Sequence, residues 1–78
     1  MTLFEAKVNS KYKISNIELE INIKRRLEAL GLTGGTKITL LHKTRNTAII
    51  MVRGTRLAAG KNILKGIRVA EEKTKEYK

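Results

Sequence analysis

The first hydrophobic pattern along the chain predicts a strand. In the stretch "KYKISNIEL" the apolar side chains alternate on one face until their spacing shifts by one residue at Asn16. The residues of that face are Tyr12, Ile14, Ile17 and Leu19. An extended strand with a bulge or kink explains the shift. The alternative is a helix that begins at Ser15, because Ser15 and Glu18 have the spacing of a capping box. We favour the strand.

A helical period follows this strand. From Glu20 onward the apolar positions repeat at i, i+4 and i+7, with charged residues between them. These positions are Ile23, Leu27 and Leu30. The pattern predicts an amphipathic helix that lies on a core. Gly31 then ends the helix in the left-handed conformation, and Leu32 supplies the hydrophobic contact that accompanies such a stop.

The second half of the chain has the pattern of short strands joined by tight turns. "TKITLLHK" places Ile38, Leu40 and His42 on one face, and "TAIIMVRG" is rich in β-branched residues. A hairpin loop over Thr44 to Thr47 joins them, and Gly54 begins a second turn into "TRLAA". "GKNILKG" is long enough for one helical turn and "IRVA" for a last strand. The pattern predicts a mostly β domain, a small barrel or sandwich with a helix between its first two strands.

The glycines near the helix end raise the question of phosphate binding. Gly residues cradle phosphates when they precede a helix, whose first N–H groups then point at the anion. Here Gly31, Gly34 and Gly35 follow a helix and precede a strand. We therefore interpret "TGGT" as a turn that needs positive φ, which changes the direction of the chain.

Length and composition restrict the class of protein. Seventy-eight residues form one domain with a small core, which we expect to end near Ala70 and to be followed by a charged, disordered tail over 71–78. The absence of cysteine excludes a disulfide framework. No leader sequence and no apolar window of membrane-spanning length is present, so we expect a cytoplasmic protein.

The charge balance favours anionic partners. Seventeen Lys and Arg face seven Glu and no Asp, which gives a formal net charge of +10. Nucleic acid, an acidic protein face and the cytoplasmic leaflet of a membrane all suit such a field. The simpler interpretation, that the charge only keeps a small domain soluble, stays open.

Three stretches taken together resemble the ferrous-iron transport protein A family (FeoA). They are "LFEAKVNSKYKISNI", "RRLEALGLTGGTKITLL" and "IIMVRGTRLAAGKNILKGIRV", so the resemblance extends from Leu3 to Val69. Two departures from the family pattern are visible. Gly34 stands where the family usually has proline, and the hairpin loop "KTRNT" is shorter than the common version.

The resemblance implies a fold and a role. The fold is a small SH3-like barrel of about five short antiparallel strands, with an amphipathic helix between the first two. The role is that of a cytoplasmic accessory or regulatory protein of ferrous-iron uptake. Such a protein would bind the cytoplasmic part of FeoB, a membrane transporter with a GTPase domain, and would lie at the inner face of the membrane through that partner.

The residue types argue against a metal site and against catalysis. Ferrous sites combine imidazole with carboxylate ligands, and the chain offers one histidine, His42, with no Cys or Asp. A serine or threonine nucleophile needs a base within hydrogen-bond reach, which one His and scattered Glu do not supply. We therefore expect no cofactor, no metal and no enzymatic activity.

The predicted interface consists of exposed basic and turn residues. We expect the basic helix positions and the turn to lie beside the hairpin tip, as a surface for the partner. The residues of this prediction are Arg25, Arg26, Leu32, Gly34, Gly35, Arg45 and Asn46. Arg45, Arg53 and Arg56 are also candidates for an arginine finger donated to the partner's GTPase. Leu32 has an alternative role in the core.

Three further interpretations stay open at this point. One is a nucleic-acid-binding barrel that acts through its basic surface, although only Phe4, Tyr12 and Tyr77 could stack on bases. Another is a regulatory barrel like those that end iron-dependent repressors, although no helix-turn-helix segment is present. The third is a homo-oligomer formed by edge pairing over Thr55 to Ala58.

Overall fold

The computed structural model describes residues 1–71, which form five strands, two α-helices and one 3-10 turn. The 3-10 turn opens the chain and the long helix lies between the first two strands. The elements in chain order are the 3-10 turn Leu3–Glu5, β1 Lys11–Ile17, α1 Ile21–Ala29, β2 Lys37–Lys43, β3 Thr47–Val52, β4 Thr55–Gly60, α2 Lys61–Gly66 and β5 Ile67–Glu71.

All five strands belong to one antiparallel sheet in the order β4-β3-β2-β1-β5. Strands that follow one another in sequence are joined by tight turns, except that α1 connects β1 to β2 and α2 connects β4 to β5. Together with its structural neighbours described below, this arrangement is the small SH3-like β fold, so the predicted fold class is confirmed.

Strand β1 carries the predicted bulge. Its pairing with β5 runs through Ile14 opposite Val69 and then Asn16 opposite Arg68, which leaves Ser15 as the extra residue. Tyr12, Ile14 and Ile17 are buried on the core side. The strand interpretation is therefore confirmed, and the alternative helix from Ser15 is wrong because the bulge, not a change to helix, shifts the apolar spacing.

A second bulge lies in β2 and changes the face of its last residues. Leu40 pairs with Ile50, whereas His42 pairs with Ile49, so Leu41 is the extra residue. The prediction that His42 shares a face with Ile38 and Leu40 is therefore wrong, and His42 is exposed. The same shift places the next residue, Lys43, opposite the buried Ala48.

The core lies on one face of the sheet. It contains apolar side chains from every strand except the edge strand β4, together with residues of the 3-10 turn and α2. Its largest fully buried members include Tyr12, Leu3, Ile38, Leu40 and Leu64. The hydroxyl of Tyr12 accepts a hydrogen bond from the N–H of Lys7 at 2.8 Å, so its polar end is satisfied.

Helix α1 is held less tightly than its pattern predicts. Leu27 packs against the core and Ile23 is half-buried, but Leu30 is 53% exposed and no residue of the helix is fully buried. The expectation that all three positions face the core is wrong at Leu30, because the helix ends there and the next apolar residue, Leu32, enters the core instead.

The two edges of the sheet differ. The outer edge of β5 is covered by the N-terminal residues, since Thr2 bridges Arg68 and the N–H of Val69 donates to the carbonyl of Met1 at 2.9 Å. Strand β4 pairs on one side only, with β3. One edge is thus closed by the chain itself.

Strand β5 extends to Glu71, one residue beyond the expected domain end, and the rest of the predicted tail, residues 72–78, lies outside the described residues. Neither α1 nor α2 is long and apolar enough to cross a membrane.

Candidate partner interface

The end of α1 forms one corner of the molecule through a complete glycine stop. Gly31 has φ of 101°, its N–H donates to the carbonyl of Glu28 at 3.0 Å, and the N–H of Leu32 donates to the carbonyl of Leu27 at 2.9 Å. These are the two hydrogen bonds of the Schellman motif, with the buried Leu32 supplying its hydrophobic contact. The core role of Leu32, rather than surface contact, is the one that the structure shows.

The turn after the stop is fixed to strand β1. The N–H of Thr36 donates to the carbonyl of Thr33 at 3.1 Å, and Gly35 has φ of 87°, as the third residue of a type II turn requires. The N–H of Gly35 donates to the carbonyl of Ile14 at 2.7 Å. The N–H groups of Gly31 and Gly35 are thus both used within the protein, so this turn does not offer the free donors of a phosphate cradle.

The β3–β4 hairpin reaches the same corner. Arg53 and Gly54 have φ of 51° and 80°, the two positive values of a type I′ turn. A Cβ atom on Gly31 would lie 3.5 Å from Cδ of Arg53 and 3.7 Å from Cγ1 of Val52. The side chain of Arg53 therefore lies over the helix end, where a cation is favourable beside the last carbonyls.

The other hairpin lies at the far end of the sheet. Residues 33–36 precede the start of β2, whereas Arg45 and Asn46 follow its end, which is about 20 Å along the strand. The expectation that the hairpin tip lies beside the turn is wrong, because β2 separates the two. Arg45 and Asn46 adjoin α2 instead, since the carbonyl of Asn46 accepts from the N–H of Lys61 at 2.8 Å.

The tip of this far hairpin is itself well ordered by threonine. The N–H of Thr44 donates to the carbonyl of Thr47 at 2.8 Å. The hydroxyl oxygen of Thr44 accepts from the N–H groups of Asn46 and Thr47 at 3.3 and 3.0 Å. These bonds order the tip, which contains neither proline nor glycine.

The remaining predicted residues are exposed on two surfaces. Arg25 and Arg26 lie on α1, with Arg26 in its last turn near the Gly31 stop. Arg56 lies on β4 opposite Met51, on the outer face of the sheet. The structure thus brings Arg26, Leu32 and Arg53 to the helix-end corner, with Gly34 and Gly35 following in the turn.

Basic side chains dominate the surface from the helix end onward. No acidic residue occurs between Glu28 and Glu71, while eight Lys and Arg lie in that interval. They are Lys37, Lys43, Arg45, Arg53, Arg56, Lys61, Lys65 and Arg68. The strands β2 to β4, both hairpins and α2 therefore carry positive charge only, which suits an acidic partner surface.

One basic cluster was not predicted from the sequence. Lys43 Nζ donates to the carbonyls of Phe4 and Ala6 at 3.0 and 2.9 Å, and lies 5.9 Å from the centroid of the Phe4 ring. Lys65 Nζ lies 5.1 Å from the same centroid. This cluster fastens the N-terminal segment to the end of β2, and its partners are too distant in sequence to be seen in a local pattern.

The first turn contains a carboxyl group, that of Glu5, whose pKa is lowered. The carboxylate of Glu5 accepts the N–H of Thr2 at 2.8 Å and its hydroxyl at 3.4 Å. The backbone hydrogen bond from Thr2 is the main cause that lowers the pKa of Glu5 below its ordinary value. The Thr-x-x-Glu spacing of these residues is the sequence signal that would have found this cap.

The described residues do not bring a set of metal-ligating side chains together. No group of three His, Cys, Asp or Glu side chains within residues 1–71 is placed to hold a metal ion. His42 is exposed. The positive charge of the surface described above suits an anionic partner.

Fold and surface together define a small, strongly basic SH3-like domain. The model of the FeoA domain family matches residues 1–71 of the chain, which therefore belongs to that family. Family membership supports a role in ferrous-iron transport, and the family is a small accessory or regulatory domain rather than an enzyme family. No curated protein sequence matches the chain.

Solved structures of FeoA proteins are similar over almost the whole chain. The FeoA protein from Chlorobium tepidum is 27% identical with a TM-score of 0.88, over 97% of this chain and 74% of that one. An iron uptake regulatory protein (FeoA) is 30% identical with a TM-score of 0.82, over 91% and 94% of the two chains.

Metal-dependent regulators share the fold as one part of a longer chain. The repressor ScaR with bound Cd²⁺ is 26% identical with a TM-score of 0.81, over 92% of this chain but only 35% of the repressor. The expected likeness was to the barrels of iron-dependent repressors; the likeness found here is to this repressor and is one of fold.

Proposed function

We propose that this protein is a small cytoplasmic accessory protein of ferrous-iron uptake that binds the cytoplasmic part of a FeoB-type membrane GTPase transporter and regulates it. The observation that carries the proposal is the FeoA family match over residues 1–71. The acid-free interval from 29 to 70 supports it, because a surface of one charge sign attracts and orients an acidic partner.

We propose the helix-end corner, at the border of that interval, as the contact surface. Arg53 lies against Gly31 there, Arg26 precedes Leu30 by one helical turn, and Leu30 itself is 53% exposed. An exposed apolar side chain flanked by arginines is a common composition for the centre of a protein interface. Arg45 and Asn46 form a separate surface at the far hairpin.

The test compares two charge reversals of equal size. The tagged protein is expressed in its native cells, the membranes are solubilised gently, and the co-purified proteins are identified at low and physiological salt, with and without nuclease. The variant Arg26→Glu/Arg53→Glu changes the corner, and Arg45→Glu/Lys7→Glu changes exposed residues near the end of β2 by the same net charge. Loss of the transporter with the first variant alone supports the corner. Equal loss with both would show that net charge, not the corner, holds the partner.

An arginine finger is the narrower form of the proposal. The side chain of Arg53 lies against Gly31, whereas Arg45 and Arg56 are exposed at other positions. A finger in trans accelerates GTP hydrolysis by orders of magnitude. Transporter GTPase activity that is unchanged by Arg45→Ala, Arg53→Ala and Arg56→Ala, each tested singly, would eliminate it.

Nucleic acid remains the second candidate, since the acid-free interval would also suit phosphates. Within residues 1–71 the aromatic side chains do not form a stacking platform, because Tyr12 is buried and Phe4 lies beneath two lysines. Recovery of RNA or DNA without any membrane protein in the same purification would favour this candidate over the first.

A further inference from the structure

The open edge of the sheet contrasts with the covered one. Met1 and Thr2 satisfy the outer edge of β5 with a backbone hydrogen bond and a bridge to Arg68. In the described part of the chain, no segment pairs with the outer edge of β4. Sheet edges left in this state are templates for an additional strand.

The hairpin geometry identifies the backbone groups on that edge. A two-residue type I′ loop closes on a hydrogen-bonded pair, here Val52 and Thr55. In an antiparallel ladder the pairs then alternate, so Leu57 and Ala59 bond to β3 as well. The N–H and C=O groups of Arg56 and Ala58 consequently point away from β3.

The edge lacks the features that usually protect one. Its ladder with β3 runs through six consecutive pairs without a bulge, and the strand contains neither proline nor lysine. Ala58 and Gly60 present almost no side chain to an incoming strand. By contrast, the pairing of β1 with β5 contains a register shift, and so does the pairing of β2 with β3.

The charges around this edge indicate what it binds. Arg53 and Arg56 lie at its beginning and Lys61 follows its end, and no acid occurs in the interval that contains them. A second copy of the chain would bring another +10 against these residues. An extended segment with acidic side chains meets both the free backbone groups and the positive charge.

We propose that the β4 edge binds an extended, acid-bearing segment of the protein partner as a sixth strand, antiparallel or parallel to β4. The identity of that partner rests on the proposed function. The backbone of Arg56 and Ala58 provides the hydrogen bonds, and the flanking cations select acidic side chains. The complex should weaken as NaCl concentration rises.

The decisive variant is Ala58→Pro, with Ala58→Thr as its control. Proline removes the outward N–H of Ala58 without removing a bond to β3, and edge strands accept it at such positions. Threonine keeps the N–H and suits a strand. Affinity for the purified full-length transporter in nanodiscs should fall at least about tenfold with proline and change by less than about threefold with threonine.

Hydrogen exchange gives a reading that does not depend on the variants. In the free wild-type protein the amides of Arg56 and Ala58 should exchange faster than those of Leu57 and Ala59. Addition of the transporter should slow the first pair and leave the second unchanged. Slow exchange of Leu57 and Ala59 in Ala58→Pro shows that this variant is folded.

Each outcome decides between the two proposals. If wild type and Ala58→Pro bind equally and the edge amides stay fast, the edge inference is wrong and the proposed function stands. If wild type does not bind the transporter at all, the proposed function fails and this inference fails with it. If the edge amides become protected with rising concentration of the protein alone, a second copy occupies the edge and the acidic segment is excluded.

Discussion

The two sides of this small sheet differ in how far the chain covers them. On the β5 side the chain closes its own edge, and the 3-10 turn packs beside it with Lys43 and Lys65 around Phe4. On the β4 side the edge is free, and the charged residues from Arg53 to Lys61 are all positive. The first side supplies stability and the second supplies accessible surface, so substitutions should affect the two sides differently.

The largest effect should come from Gly66→Ala, at the junction of α2 and β5. A Cβ atom there would overlap the side chain of Leu19 and lie 2.9 Å from the carbonyl oxygen of Glu18. The N–H of Glu18 donates to the carbonyl of Gly66 at 2.6 Å, which hinders relief by movement. We expect the free energy of unfolding in urea to fall by about 2 kcal/mol.

The matched control for that substitution lies on the open side. Gly60, at the junction of β4 and α2, has φ of −81° and no atom within 4 Å of an added Cβ. Gly60→Ala should leave stability unchanged or raise it by up to about 1 kcal/mol. Equal losses for the two variants would show that the two junctions are not packed differently.

The next effect tests the glycine stop that positions the corner. Gly31→Ala places a Cβ on a residue with φ of 101° and 3.5 Å from Arg53. We expect a loss of about 1 to 2 kcal/mol in unfolding free energy, because the left-handed conformation disfavours a side chain. Gly34→Ala is the control, since its nearest neighbour would be the carbonyl of Ser15 at 3.9 Å and its φ is not positive. A neutral result at Gly31 would contradict the assigned role of the stop.

A smaller effect should follow from Lys43→Met. The substitution removes the two hydrogen bonds to the carbonyls of Phe4 and Ala6 while keeping the apolar stem. We expect a loss of about 1 kcal/mol, with faster amide exchange confined to the N-terminal segment and β5. Lys61→Met removes the same charge from an exposed site. It should change neither the unfolding free energy nor the amide exchange of the N-terminal segment. If both variants lowered the unfolding free energy equally, the loss of charge, rather than the loss of the two hydrogen bonds, would explain the effect.

The smallest effect concerns pH and Glu5. Hydrogen bonding to Thr2 lowers the pKa of Glu5 in the folded protein below its ordinary value of 4.5. Its contribution to stability is therefore present above that ordinary value and is lost as pH falls through the lowered one. Glu5→Gln should reduce the slope of unfolding free energy against pH below about pH 4.5. Urea titrations at pH 7 and at acid pH measure this, and identical slopes would contradict it.

Much of the fold could be predicted because its signals are local. The bulged first strand, the glycine stop at Gly31 and the two hairpins each rest on residues within a few positions of one another. Turn chemistry and alternation act over the same short range, so the sequence pattern contains them. The FeoA resemblance then supplied the SH3-like arrangement that these local signals leave open.

What could not be predicted depends on contacts between distant residues. The bulge at Leu41 turns His42 outward and Lys43 toward Phe4, although nothing in "LLHK" marks an extra residue. The separation of Arg45 from the helix-end corner follows from the length of β2 between them. Both facts belong to the pairing register, which neighbouring strands determine together.

The bridge between Thr2 and Arg68 has a consequence for how the molecule assembles. The hairpins of β2, β3 and β4 join residues close in sequence, so they can form early and quickly. The bridge joins segments separated by nearly the whole described chain, and ordering so long a loop is entropically expensive until the rest is in place. We therefore expect the bridge between Thr2 and Arg68 to form late in folding, after the hairpins.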